Sequence, residues 1–196
     1  MGVAIKKDRK YTYRDYLTWP EGERWEIIAG IAYNMSPAPI VKHQAIALNF
    51  SVKLKTHQNN PCYTGIAPTD IVLDEFNVVQ PDVFVVCDES KITDENIKGP
   101  PDLIVEVISP STEVKDRREK KNLYERFGVR EYILAFPERE YIERYLLREG
   151  KYNGPELFNW DEVLHLDVFD IRIDLCDIFD KERGIDHSVT EHPSSS

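Results

Sequence analysis

Two short runs constrain the fold of this 196-residue chain more than any other feature: "PDVFVV" (Pro81–Val86) and "DLIVEVI" (Asp102–Ile108) are nearly all apolar. Successive side chains of a strand point to opposite faces, so a half-buried strand alternates apolar and polar residues, and an unbroken β-branched run needs cover on both faces. These runs predict central strands of a mixed α/β sheet. "TDIVL" (Thr69–Leu73) and "REYILAF" (Arg130–Phe136) are also rich in β-branched and aromatic residues and read as further strands. Inside the second run stands one carboxylate, Glu106, where an aliphatic residue would serve the sheet better.

The rest of the chain supplies the helices that such a sheet requires. "YTYRDYLTW" reads as a short helix closed by Pro20, and "RWEIIAGIAYNM" as two strands around a turn at Ala29-Gly30. "VKHQAIALNFSVKLKTH" carries apolar residues at Ala45, Ile46, Leu48, Val52 and Leu54, which predicts a helix. "TEVKDRREKKNLYERFG" has no Gly or Pro before Gly128, with Ser111 or Thr112 available as N-cap and Gly128 as the stop, and reads as a second long helix. "YIERYLLREGKYN" predicts a C-terminal β-hairpin that turns at Glu149-Gly150 and decorates the sheet edge. The linker "CDESKITDENIKGPP" is polar and reads as exposed, with Cys62, Cys87 and Cys176 as separate core thiols. One domain over residues 11–180 is expected, with a loose arm at 1–10 and a Ser-rich disordered tail at 181–196.

Composition narrows the function. No apolar stretch approaches the roughly 20 residues of a membrane span, and the N-terminus lacks a signal-peptide core, so a cytoplasmic protein without membrane contact is expected. A formal net charge of −10 argues against chain-wide affinity for nucleic acid, whose phosphates are held chiefly by Lys and Arg. The exception is Lys115 to Arg130, where seven basic residues face three acidic ones. Such a run is ordinarily a solvated helix face.

An ionised carboxylate in an apolar strand costs several kcal/mol unless a cation or donors meet it, so Glu106 requires a partner. Asp82 opens the other apolar strand, and if the two strands adjoin, the carboxylates converge at one edge of the sheet. Paired hard oxygen ligands suit Mg²⁺ or Mn²⁺. On the following helix Lys120, Leu123, Tyr124 and Phe127 fall at i, i+3, i+4 and i+7, with Asp116 one turn earlier, so Lys120 points inward. Lys121 is rotated by about 100° and shares the outer side with Arg117, Arg118 and Glu125.

"VQPDVFVV", "PDLIVEVISPST", the series Asp116, Lys120 and Tyr124, and "GVREYIL" together resemble the Uma2 family of restriction-endonuclease-like proteins. The resemblance extends to "RWEIIAGIAYNMSPAPIVKHQ" and covers roughly residues 11–147. That family is assigned to the PD-(D/E)xK nuclease superfamily, which implies a central mixed sheet flanked by helices, with Asp82 and Glu106 as the motif's two acidic residues. Where the motif's lysine would stand there is Ile108. Uma2-like proteins resemble the nucleases in which that lysine has moved to the next helix, and Lys120 takes the corresponding place. Glu26 matches a further acidic position near the metal, and His43 falls at a family position without an assigned role.

The expectation is therefore an endonuclease in which Asp82 and Glu106 hold Mg²⁺ or Mn²⁺ to activate water against a phosphodiester, DNA being the expected substrate. Lys120 would position the nucleophile or offset charge in the transition state, Glu26 would complete the metal's coordination shell or orient a water, and Arg117, Arg118 and Lys121 would contact flanking phosphates. A homodimer is expected, since nucleases of the superfamily it resembles often pair to cut both strands and an acidic monomer would bind duplex poorly. The alternative is a binding or assembly module that keeps the nuclease fold without cutting, which the acidic charge favours.

Overall fold

In the computed structural model, residues 9–20, 22–35, 39–57 and 61–182 are described. The first helix, α1 (Tyr13–Tyr16), starts at a reciprocal cap between Thr12 and Asp15 and leads into the hairpin β1 (Trp25–Ile28) and β2 (Ile31–Asn34). Helix α2 (Val41–Thr56) follows, then β3 (Tyr63–Ile66), β4 (Ile71–Asp74), β5 (Asn77–Val79), β6 (Val83–Val86), β7 (Ile97–Lys98) and β8 (Leu103–Val107). A helical segment runs through α3 (Glu113–Lys115), a π turn (Asp116–Lys120) and α4 (Lys121–Phe127), ending at Gly128 in the left-handed conformation (φ 83°). The chain then forms β9 (Glu131–Phe136), β10 (Tyr141–Arg148), β11 (Lys151–Tyr152), β12 (Glu156–Asn159), β13 (Val163–Leu166), β14 (Ile171–Asp174) and α5 (Leu175–Ile178).

The main sheet has the order β11-β10-β9-β8-β6-β3, with β12 also paired to β10. Only β8 and β9 run parallel in it, joined through the α3–α4 segment, so the sheet is mixed. A second sheet, β2-β1-β5-β4-β7, packs against one of its faces. The unbroken apolar runs now have their cause. Val83, Val85, Leu103, Val105 and Val107 face α2 and the β13–β14 hairpin, whereas Phe84, Val86, Ile104 and Ile108 face α4 and the second sheet. Each such side chain, fully buried, stabilises the fold by roughly 1.5–3 kcal/mol. No helix among the described residues is long and apolar enough to cross a membrane.

Three expectations need correction. Residues 87–101 are not simply an exposed linker: they contain a 3₁₀ turn at Glu89–Lys91 and strand β7, and Asn96 and Ile97 are buried. The segment turning at Glu149-Gly150 is no mere edge decoration, because β10 pairs with β9 over six residues and carries β11 and β12 on its other side. Cys62 and Cys87 are not separate thiols but form a disulfide, and Cys176 is a buried thiol outside it. They flank the register pair Tyr63↔Val86 of β3 and β6, so strand pairing brings them opposite each other. The expected arm and tail fall outside the described residues except for 9–10 and 181–182.

Candidate active site

Antiparallel pairing of β6 with β8 sets Val83 against Val105, and the same register carries Asp82 opposite Glu106. Both residues share the strand parity of Phe84 and Ile104, so they project from the face toward α4 and the second sheet. Asp82 Oδ2 accepts the Val107 N–H at 2.8 Å and lies 3.4 Å from His43 Nε2 in the first turn of α2. Glu106 is 4% exposed, and its Oε1 accepts from Lys120 Nζ at 2.9 Å and from the Tyr124 hydroxyl at 2.8 Å. Ile108, two residues on and on the same face, packs into the core.

Lys120 is buried and reaches a second carboxylate, Glu26 on β1, at 2.7 Å, with Asp116 at 3.7 Å. Glu26 is buried too. Its Oε1 accepts the Gln80 N–H at 3.1 Å, and its Oε2 accepts from Lys115 at 2.6 Å. In an α-helix Lys115 and Lys120 would stand about 140° apart and could not share one carboxylate. The π turn over Asp116–Lys120 closes i to i+5 and brings the two ammonium groups to one side. The carbonyl of Asp116 takes the Tyr132 hydroxyl at 3.1 Å.

The cluster holds more negative than positive charge. Burial raises the Glu106 carboxyl to about 8; Lys120 opposes the rise, while Asp116, Asp82 and Glu26 add to it. Burial likewise raises Asp116, whose Oδ1 has no hydrogen-bond partner. For Glu26 burial acts upward, but Lys120 and Lys115 outweigh it and hold the carboxyl below its ordinary value. Lys120 is held well above the ordinary lysine value because its three carboxylates outweigh its burial. The cluster forms the floor of an open cleft of about 950 Å³, which Asp82, Glu106, Asp116 and Lys120 line together with His43 and Arg24. Ile40, Leu48, Ile66 and Val114 supply an exposed apolar rim.

Residues 13–176 match the Uma2 family, described as "Putative restriction endonuclease". The chain belongs to the Uma2 family. It is 33% identical over 119 residues to the uncharacterized protein slr1290 of Synechocystis sp. (strain ATCC 27184 / PCC 6803 / Kazusa), a match covering 59% of this chain and 62% of that protein. The chain thus spans less than two thirds of that relative's length. Its fold is similar to a crystal structure described as that of "a putative nuclease belonging to DUF820" from Anabaena variabilis ATCC 29413, with a TM-score of 0.72 and 18% identity over 86% of this chain and 97% of that one. The match and the strand order agree on a mixed α/β fold for this Uma2 chain.

Of the three basic residues expected to meet phosphates, only Arg118 lines the cleft, exposed and paired with Glu119 at 2.5 Å. Arg117 holds Glu143 through two nitrogens, at 2.7 and 2.9 Å, and lies over the Phe136 ring. Lys121 lies over Tyr145 and Tyr152, with its ammonium 5.2 and 5.8 Å from the ring centres. Lys115 and Gln80 are members of the buried cluster that the sequence does not announce. Lys115 is off the α-helical stripe, and Gln80 acts partly through its backbone. Asp116 stood on the stripe and carried no role.

Proposed function

We propose that this Uma2 protein is a divalent-metal-dependent endonuclease that hydrolyses phosphodiester bonds of DNA. The observation that carries the reading is the pairing of Asp82 with Glu106 across adjacent strands at the floor of an open cleft, beside a buried lysine and a surplus of buried carboxylate. Among the described residues no group of three or more His, Cys, Asp or Glu side chains is arranged to hold a metal ion. Two carboxylates nevertheless fit Mg²⁺ or Mn²⁺, which take one or two from the protein and keep several waters. The negative surplus around Glu106 is what a divalent cation would offset. When bound, such an ion supplies Lewis acidity, acidifying water and neutralising phosphate charge.

The chain's own residues orient this chemistry. The Val107 N–H and His43 fix Asp82, and Tyr124 and Lys120 fix Glu106. Lys120 brings positive charge beside Glu106, where it would offset charge gathering on the non-bridging oxygens. Glu26, held by Lys115 and the Gln80 N–H, sets the position of Lys120. Arg118 would meet a flanking phosphate at the rim, and Arg117 and Lys121 would meet only nucleic acid that extends beyond the cleft. The formal net charge of −10 favours the rival reading, a binding module without cleavage.

Thermal melting against Mn²⁺ tests the site. At 100-fold excess over its dissociation constant, ion binding should add about 2.7 kcal/mol of stability, a rise of several degrees. The double variant Asp82→Asn, Glu106→Gln should lose that rise. An equal shift in both proteins would mean that the ion binds elsewhere on the acidic surface.

A further inference from the structure

Three of the cations that line the cleft are matched by acids: Lys115 by Glu26, Lys120 by Glu26 and Glu106, and Arg118 by Glu119. Arg24 is different. It lines the cleft half-buried, and among the described residues its side chain makes one hydrogen bond, from Nε to Gln80 Oε1 at 3.0 Å, with no carboxylate paired to it.

Gln80 is built to hold that guanidinium. It is buried, its N–H donates to Glu26 Oε1 at 3.1 Å, and its Nε2 donates to Asp70 Oδ1 at 2.8 Å and to the Tyr16 hydroxyl at 3.2 Å. Tyr16 in turn donates to Asp70 Oδ1 at 2.8 Å. Both amide hydrogens of Gln80 are therefore used, which fixes the side chain with Oε1 toward Arg24. Of the five guanidinium N–H donors one is engaged, and the fork of two Nη groups is left for a ligand. A planar fork with fixed orientation suits an oxyanion held through two parallel hydrogen bonds, as phosphate is.

The strand sets the spacing. The Arg24 carbonyl accepts the Met35 N–H, so the β1–β2 ladder continues through Arg24. Arg24 and Glu26 then share a strand face, two residues apart, a rise of about 6–7 Å. Glu26 in turn holds Lys120, which pairs with Glu106, so Arg24 stands on the same strand as the cluster and beside it. We propose that Arg24 forms a phosphate subsite in the cleft, gripping a phosphodiester of the nucleic-acid strand other than the one presented to Asp82 and Glu106. The inference rests on the nuclease reading and deepens it by naming a residue that selects a polynucleotide strand over an isolated phosphate ester.

The test measures anisotropy of a fluorescein-labelled single-stranded oligonucleotide in Ca²⁺ buffer over a series of salt concentrations, for wild type, Arg24→Ala and Arg24→Lys. Arg24→Ala should weaken binding about tenfold and flatten the slope of log affinity against log salt by about 0.7, the value for one phosphate contact on a single strand. Arg24→Lys should retain the slope and lose less affinity, because it keeps the charge without the fork. Unchanged affinity in Arg24→Ala overturns the inference. So does weaker binding with an unchanged slope, which would make Arg24 a structural anchor for Gln80. If wild type neither binds the oligonucleotide here nor cuts it in Mn²⁺, the nuclease reading itself fails and the subsite falls with it.

Discussion

Lys120→Met is the perturbation that most exposes the physics of the site. It removes a positive charge 2.7 Å from Glu26, 2.9 Å from Glu106 and 3.7 Å from Asp116 while leaving a side chain of similar reach. A buried charge stripped of its partner typically costs about 3–5 kcal/mol. Proton uptake limits the loss, since at 1.36 kcal/mol per pKa unit, protonating a carboxyl of ordinary value near pH 7 costs about 3.4 kcal/mol. Glu106, already raised to about 8, takes its proton readily at neutrality, and Lys115 still holds Glu26. Proton uptake thus caps the expected loss near pH 7 at about 3 kcal/mol. Carboxyls with raised folded values contribute stability below their ordinary value and lose it as pH rises through the raised one, so the deficit should grow toward about pH 8.5 and shrink to about 1 kcal/mol near pH 5. Urea denaturation of wild type, Lys120→Met, Glu106→Gln and the double variant at these three pH values measures it. At pH 8.5, where Glu106 is ionised, the cycle should give a coupling above about 2 kcal/mol. A loss below about 1 kcal/mol that stays flat from pH 5 to 8.5 would refute the claim that Lys120 neutralises buried carboxylates.

The two adjoining lysines should separate in single-turnover cleavage: Lys120→Ala loses about 100-fold or more, while Lys121→Ala, deprived only of its contacts with Tyr145 and Tyr152, stays within about threefold. Equal losses would make the basic helix a binding surface alone. Glu131 is buried, its Oε1 has no hydrogen-bond partner, and burial raises it to about 7. Its contribution is therefore complete below the ordinary value of 4.5 and is lost as pH rises through about 7, so Glu131→Gln should stabilise the protein by about 3 kcal/mol near pH 8 and scarcely at all near pH 4. Parallel stability curves for the variant and wild type would contradict this. The Cys62–Cys87 link spans 25 residues, so Cys62→Ser with Cys87→Ser should cost about 3 kcal/mol in urea denaturation, and reductant should do the same to wild type. A wild type indifferent to reductant would show that the link is not formed in solution.

The two-sided central strands were legible because continuous apolar runs have few other structural uses, and the lone Glu106 stood out against that background. Lys120 was legible from the α-helical stripe it shares with Leu123 and Tyr124. Lys115 was not, because a π turn changes the phase of the helix and no residue pattern marks where the turn falls. The Cys62–Cys87 pair depends on the β3–β6 register, which links residues far apart in sequence. The outer basic residues looked like a phosphate-binding face because their partners come from elsewhere: Glu143 for Arg117, and the rings of Tyr145 and Tyr152 for Lys121. Arg24 escaped notice for the opposite reason. An arginine beside a strand is unremarkable until the acids that could match it are found paired with other cations.

The central claim, that Asp82 and Glu106 support metal-dependent phosphodiester cleavage, is tested most directly by incubating single- and double-stranded DNA and RNA with the full chain in Mn²⁺, with Asp82→Asn and an EDTA-treated sample alongside. The account expects wild type to convert DNA to shorter products in Mn²⁺, and both Asp82→Asn and the EDTA-treated sample to leave it intact. Cleavage that persists in purified Asp82→Asn, or the absence of cleavage of any of the four substrates by folded wild type in Mn²⁺, would contradict it.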